Sequence, residues 1–444
     1  MKDKISFKRI NKLAIPALIA GIAEPILSIT DTAIVGNIQV NATESLAAVG
    51  IVGAFISMLI WVLGQTRSAI SAIVSQYLGA NKLHEVKNLP AQAIAIITGL
   101  SVLIIIVTYP FSEQIFKLYN ASGLILEYSI IYYKIRVFGF PLTLFTFAVF
   151  GVFRGLQNTF YPMIVAIIGA VTNIVLDYIL VYGVEGMIPA LNIEGAAYAS
   201  IIAQIVMAIL SLILLLKKTS ISLQLTFPFN KEIGRLITMI LNLFVRTLAL
   251  NIALYFGSSF ATAYGKEHIA AYTIAINLWF FGAFFVDGFA SAGNIISGRL
   301  LGARDYSTLI KLSKKLTKYG FTVGIVLALI GGMLYYPIGK LFTKEPMVLS
   351  KFYTVFWIVL AMQPFCAVTF IFDGMFKGLG EMKALRNVLL FATFIGFIPT
   401  LLIFDALDYK LYAIWIAFTI WIIFRGIPLL LLFRKKFYPR VQKA

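Results

Sequence analysis

The chain has 444 residues, 60% of them hydrophobic and 13% charged, where a soluble globular protein is nearer half apolar and a quarter charged. That balance excludes an ordinary soluble enzyme, a disordered chain and a fibrous one, and leaves a polytopic membrane protein. One cysteine excludes a disulfide framework and a cysteine-based metal site, and two histidines are too few for a histidine-rich catalytic centre.

A helix needs roughly 20 mostly apolar residues to cross a bilayer, at about 1.5 Å each. Twelve stretches qualify in chain order, at about 13–37, 46–66, 90–109, 128–153, 160–183, 192–216, 233–258, 268–298, 316–337, 351–376, 385–404 and 411–433. No remaining segment is long enough for a separate soluble domain. The basic residues 1–12 are not read as a cleavable signal, because the apolar run behind them is too long and further spans follow.

The formal charge of +18 invites a nucleic-acid reading, which the positions of the charges exclude. Twenty-six Lys and Arg lie on the two termini and the even-to-odd loops, and six on the opposite loops. Such a bias places both termini in the cytoplasm, with the plasma (inner) membrane as the expected location. The excess charge sets topology and does not bind a partner.

The chain repeats itself. Leu46-Ala47-Ala48 returns as Ile269-Ala270-Ala271, Gln76-Tyr77-Leu78-Gly79-Ala80 as Arg299-Leu300-Leu301-Gly302-Ala303, and Gly151-Val152-Phe153-Arg154-Gly155-Leu156 as Gly374-Met375-Phe376-Lys377-Gly378-Leu379, each 223 residues later. Each repeat holds six spans, an even number, so both halves insert the same way round. The expected fold is an all-α membrane protein with twelve transmembrane helices in two parallel six-helix bundles, related by a pseudo-two-fold axis along the membrane normal. The expected lobes are 1–216 and 232–444, joined by a polar cytoplasmic linker at 217–231.

Ionisable groups in hydrocarbon cost at least about 2.5 kcal/mol each, so they face the protein interior and usually serve function. Asp31, Asn173, Asp177 and Ser200 fall in the outer half of spans 1, 5 and 6, with Asn173 and Asp177 one helical turn apart. Two carboxylates, an amide and a hydroxyl in one layer suit a shared proton or a small cation. The repeat is an internal control. The positions equivalent to Asp31, Asn173, Asp177 and Ser200 are Leu254, Gly396, Thr400 and Phe418, the last after allowing for a shorter loop, so the scaffold is duplicated and the polar cluster is not. The bland alternative is a set of satisfied interior polar groups.

Other polar positions are candidates for gating or substrate contact. Glu24 precedes Pro25 on the face of span 1 that carries Asp31, where proline permits either a bend that follows protonation or a static kink. Arg246 and Asp287 fall near the midplane of spans 7 and 8, where the plain expectation is a buried ion pair. Asp373 is expected beside Lys377, one turn away. Arg67, Lys134, Arg136 and Arg425 are expected to snorkel or form pairs. Trp279, Phe280, Phe281, Phe284, Phe285 and Trp357 either line a cavity for apolar cations or face lipid and neighbouring helices.

Several motifs resemble one family. Twelve spans in two halves also fit the major facilitators, but the loop after span 2 reads Gln76-Tyr77-Leu78-Gly79-Ala80-Asn81-Lys82 and lacks their Gly-x-x-x-Asp-Arg pattern. That loop, with Asp31-Thr32-Ala33-Ile34-Val35-Gly36, Arg154-Gly155-Leu156-Gln157-Asn158-Thr159-Phe160-Tyr161-Pro162 and Asn173-Ile174-Val175-Leu176-Asp177, resembles the multidrug and toxic compound extrusion (MATE) family, in detail its DinF-like branch. The resemblance implies cation-coupled export of organic, often cationic, compounds by alternating access. It implies a first-half cation site at Asp31, Asn173, Asp177 and Ser200, with Asp31, Asn173 and Asp177 as sodium ligands if sodium is the coupling ion. The NorM-like branch has a sodium-binding acid in span 7; here Arg246 and Asn251 are the polar residues and no acid is present.

The expected partners are small drug-like molecules and membrane lipid, with no nucleic acid, and the expected state is a monomer. No cofactor is expected beyond a proton or sodium gradient, because no Gly-x-x-x-x-Gly-Lys-Ser/Thr loop is present for direct ATP drive. A lipid-linked saccharide flippase is the alternative, opposed by the scarcity of basic residues within the spans. An enzyme is not expected: Asp31 and Asp177 lack the Gly-x-Gly-Asp context of paired intramembrane protease aspartates.

Overall fold

The computed structural model describes residues 5–38 and 41–442, leaving aside the side chains of 23–29 and 442. Long runs of Leu, Ile, Val and Ala make helix after helix, since in a bilayer each backbone polar group must be satisfied within its own segment. The first half contains α1 (Phe7–Val35), α2 (Ala42–Leu63), α3 (Thr66–Gly79), α4 (Leu89–Thr108), α5 (Ser112–Leu118), α6 (Gly123–Arg136), α7 (Gly139–Gly155), α8 (Phe160–Tyr182) and α9 (Asn192–Lys218). The second half contains α10 (Ile233–Ala263), α11 (Lys266–Gly302), α12 (Tyr306–Met333), α13 (Tyr335–Phe342), α14 (Pro346–Gly378), α15 (Met382–Phe391), α16 (Ile398–Ala406) and α17 (Leu411–Gln442).

Among the described residues ten helical stretches are long and apolar enough to cross a membrane, and α6 with α7, bent by 47° at their junction, makes eleven when the pair is taken as one span. The 29-residue α1 coincides with the first expected span. The chain is thus an all-α, multi-pass membrane protein. Among the described residues no strand forms, only a single bridge between Val184 and Ile188.

The repeat extends to the hydrogen bonds of its turns. After α7, Leu156 N donates to Val152 O (2.9 Å) and Asn158 N to Phe153 O (2.9 Å); after α14, Leu379 N donates to Met375 O (2.9 Å) and Glu381 N to Phe376 O (2.9 Å). The left-handed residues of these turns, Gln157 (φ 64°) and Gly380 (φ 76°), are equivalent by the repeat. So are Asn81 (φ 57°) and Arg304 (φ 54°), which end α3 and α11.

The described chain forms two compact units. One holds Ile19–Val74 and Lys82–Ile237. In it α8 and α9 pair closely, α7 packs on α4 and α9, and α6 packs on α2. The stretch 217–231 belongs to this unit and is not a free connector, because its polar groups find partners there. Asn230 donates from its side chain to Asn88 Oδ1 (2.7 Å) and Glu85 O (2.9 Å), and Lys231 pairs with Glu85 (2.6 Å).

The other unit holds Met1–Leu18, Ser75–Asn81 and Thr238–Ala444, so its boundaries also differ from a plain division at mid-chain. The reason is specific bonding of the two early segments: Lys315 Nζ donates to Ile5 O (2.6 Å) and Gln76 Nε2 to Gly378 O (2.8 Å). Its core is unusually aromatic. Trp415, Phe418, Trp421, Phe397, Phe352 and Phe356 are all fully buried, with Phe397 and Phe418 ring centres 4.8 Å apart.

Candidate functional site

The site is assembled by the α8–α9 hairpin. Gly183 (φ 76°) and Asn192 (φ 49°) turn the chain, and Leu191 N donates to Leu180 O (2.9 Å), which sets the register of the two antiparallel helices. Small residues let them close. A Cβ on Gly195 would lie 2.5 Å from Leu180 O, and Ala196, Ala197, Ala199 and Ala203 are buried along the same contact. In this register Ser200 of α9 faces Asn173 of α8. The end of α1 is tied to α8 by Tyr182, whose hydroxyl donates to Ile34 O (3.0 Å).

Asp31, Asn173, Asp177 and Ser200 meet as the sequence predicts, and none is more than 4% exposed, which seals them from both lipid and bulk water. Ser200 Oγ donates to Asp31 Oδ2 (3.2 Å) and lies 3.3 Å from the Asn173 amide. The other end of that amide is 3.1 Å from Asp31 Oδ1 and 3.2 Å from Asp177 Oδ2. With its nitrogen turned to the acids it donates to both carboxylates, and the network decides that orientation. The Asp31 and Asp177 carboxyl groups are close neighbours, and Asp177 Oδ1 is buried with no hydrogen-bond partner. Two adjacent buried carboxyls with a spare acceptor oxygen can share a proton, or turn oxygens toward a small cation.

Sequence reasoning missed two neighbours on α6. Tyr132, which is 2% exposed, and Arg136, which hydrogen-bonds its phenol, both lie in the field of the acids. Their i, i+4 spacing was the available signal. Arg136 is half-buried, and its charge reaches Asp177 from beside Tyr132.

In the second-half unit the equivalent position is filled by rings. Phe418, matched to Ser200, packs against Phe397, Trp415, Trp421 and Trp279, with ring centres 4.8, 5.6, 5.9 and 5.8 Å away. Trp279 is accordingly part of the core, its indole donating to Cys366 Sγ (3.3 Å), and lines no cavity. Phe280, Phe281 and Trp357 are exposed.

The expected pairing of Arg246 with Asp287 does not form. Arg246 donates to Asp373, and Arg425 Nη2 lies 4.0 Å from the same carboxylate. Asp373 thus meets two arginines from α10 and α17 and is not confined to its neighbour Lys377 on α14; buried charges gather where they neutralise one another. Arg425 also stacks over Trp421, its guanidinium 4.5 Å from the ring centre. Asp287 is exposed on α11. Glu24 and Pro25 lie outside the described residues.

The MatE family profile matches residues 16–179 and again residues 239–402. The chain is similar to "DNA damage-inducible protein F" of Escherichia coli (strain K12), with 27% identity over 97% of this chain and 92% of that one. It is also similar to the "Probable multidrug resistance protein NorM" of Mannheimia succiniciproducens, with 26% identity over 89% of this chain and 85% of that one. Its fold matches the crystal structure of MATE in the bent conformation with a TM-score of 0.89, at 22% identity over 98% of this chain and 96% of that one. The two profile matches begin 223 residues apart, the period of the internal repeat, and together cover well over half of the residues, so the chain belongs to the MatE family.

Proposed function

We propose that the chain is a cation-coupled antiporter that exports organic, often cationic, compounds across the plasma membrane by alternating access, with both termini in the cytoplasm. The observation that carries this reading is the sealed contact of Asp31 with Asp177, bridged by Asn173 and braced by Ser200. Relatives named as multidrug resistance proteins support the export of drug-like molecules. The bias of basic residues supports the orientation.

The chemistry follows from charge in a low-dielectric site. Two unit charges about 4 Å apart repel by about 4 kcal/mol at an effective dielectric of 20. A proton or sodium ion between the acids removes that repulsion and draws α1 to α8; its loss pushes them apart. Occupancy by a single cation changes the net charge of the buried cluster by one. With a proton bound, the Asn173 nitrogen faces the acids; with sodium, its carbonyl oxygen turns inward as a ligand beside Asp31 and Asp177. Sodium or proton serves here as cargo of the exchange.

The test is ethidium efflux from reconstituted vesicles under an imposed proton gradient and then an imposed sodium gradient. Asp31→Asn and Asp177→Asn should each abolish gradient-driven efflux while eluting as folded protein. Full transport in both variants would remove the assignment.

A further inference from the structure

The pairing of Arg246 with Asp373 leaves a second guanidinium over. Arg425 is 3% exposed, and its Nη2 stands 4.0 Å from the Asp373 carboxylate, beyond hydrogen-bond reach. Among the described residues Arg425 makes no hydrogen bond, so the five N–H donors of a buried guanidinium go unspent. Arg246 is only partly used as well: its Nη2 donates to Asp373, while its Nε is buried with no partner. Asp373 is the one buried carboxylate of the second-half unit among the described residues, so no second acid balances the pair. Lys377, one turn further along α14, is half-buried and adds positive charge to the same field.

The packing holds the spare donors in place. Trp421 and Phe370 lie against the Arg425 guanidinium, with ring centres 4.5 and 5.5 Å from its carbon. Rings attract the cation, but they do not supply the acceptors that its in-plane N–H groups lack. Here α17 presses onto α14: a Cβ on Gly426 would lie 2.5 Å from the hydroxyl of Thr369, which is one turn before Asp373. The contact of two helices thus keeps Arg425 beside the acid.

The repeat provides a control. The positions equivalent to Asp373 and Arg425 are Phe150 and Met207, which pack with Val165 as an apolar cluster of the first-half unit. The scaffold closes at this place without charge, and a buried ion pair seldom adds more stability than such packing. Two arginines on one acid therefore call for a role beyond holding helices together.

We propose that Arg246 and Arg425 form a binding site for a small monovalent anion, with chloride the commonest candidate, held at the guanidinium edges that Asp373 leaves free. One such anion closes the charge balance of two arginines and one acid. The near-complete burial of all three side chains selects an ion over an organic acid. Charge-assisted bonds from the N–H groups supply the affinity. The site shares no residue with the Asp31–Asp177 cluster, and the inference does not depend on which cation that cluster couples.

The experiment is equilibrium binding of radiolabelled chloride to the purified full chain in nanodiscs, by scintillation proximity, with ionic strength held constant by gluconate. The parent chain should bind chloride saturably and release it to bromide. Arg425→Met, which copies the apolar solution of the first half, should weaken binding at least about tenfold. Arg425→Lys should keep most of it, because a spherical ion needs charge and donors but no planar fork. Crystals of the parent chain grown in bromide should show an anomalous peak within hydrogen-bond distance of both guanidiniums, a reading that stands even where a variant fails to fold. The absence of saturable chloride binding by the parent chain, equal binding by Arg425→Met, or a bromide peak only away from the two arginines overturns the proposal.

Discussion

Arg246 and Asp373, 127 residues apart in sequence, form an ion pair inside the second-half unit, and Arg425 stands 4.0 Å from the same carboxylate. One acid serves two guanidiniums that are each no more than 5% exposed. The arrangement is therefore lopsided, and removing the acid harms more than removing either base.

The first prediction follows. Breaking a buried pair by deleting one partner typically costs about 3–5 kcal/mol, because the other charge stays buried. Arg246→Gln leaves Asp373 beside Arg425, whereas Asp373→Asn leaves two arginines without an anion. Thermal melting of the detergent-solubilised protein should rank the parent chain above Arg246→Gln and Arg246→Gln above Asp373→Asn. The reverse order for the two variants would contradict the shared-anion arrangement.

The second prediction concerns the duplicated Gly-Ala endings of α3 and α11. A Cβ on Gly79 would overlap the Arg299 carbonyl, and a Cβ on Gly302 would overlap the Gln76 carbonyl, so the two repeat-equivalent glycines are the crossing point of these helix ends. Backbone must shift to admit even a methyl group, and overpacking of this kind costs about 1–3 kcal/mol. Gly79→Ala and Gly302→Ala should each lower the melting temperature. Gly332 in α12 has nothing within 4 Å of its would-be Cβ. Gly332→Ala should be neutral or slightly stabilising, since alanine is the better helix former.

The third prediction separates the two polar neighbours of the acid pair. Ser200 touches only Asp31 among the acids, through one bond of 3.2 Å, and a single hydrogen bond is worth about 0.5–1.5 kcal/mol. Asn173 reaches both. In gradient-driven ethidium efflux, Ser200→Ala should slow transport roughly three- to tenfold, and Asn173→Leu should reduce it to background. A Ser200→Ala variant as inactive as Asn173→Leu would show that the amide is not the bridge.

Most of the architecture was legible because hydrocarbon imposes simple rules. Apolar length marks the spans, and a period of 223 residues marks the duplication, even to the left-handed turns at Gln157 and Gly380. The acid pair was legible for a related reason: Asp31 and Asp177 fall at similar depth on helices that run the same way, and their repeat partners are apolar or small. Partner choice was not legible. Arg246 and Asp287 share a depth, but depth says nothing about the angle at which each side chain leaves its helix.

The sequence by itself determined the number of spans, the twofold repetition and the layer in which the first-half acids lie, since these depend on hydrophobicity and spacing along one axis. Only the tertiary structure decided that Asp373 takes both arginines, that Tyr132 and Arg136 stand beside the acid pair, and that Asp287 is left exposed on α11. Those outcomes depend on how helices rotate about their own axes and pack against one another, and that rotation is set by small-residue contacts, such as Gly195 on Leu180 and Gly288 on Ala14, far from the charges they orient.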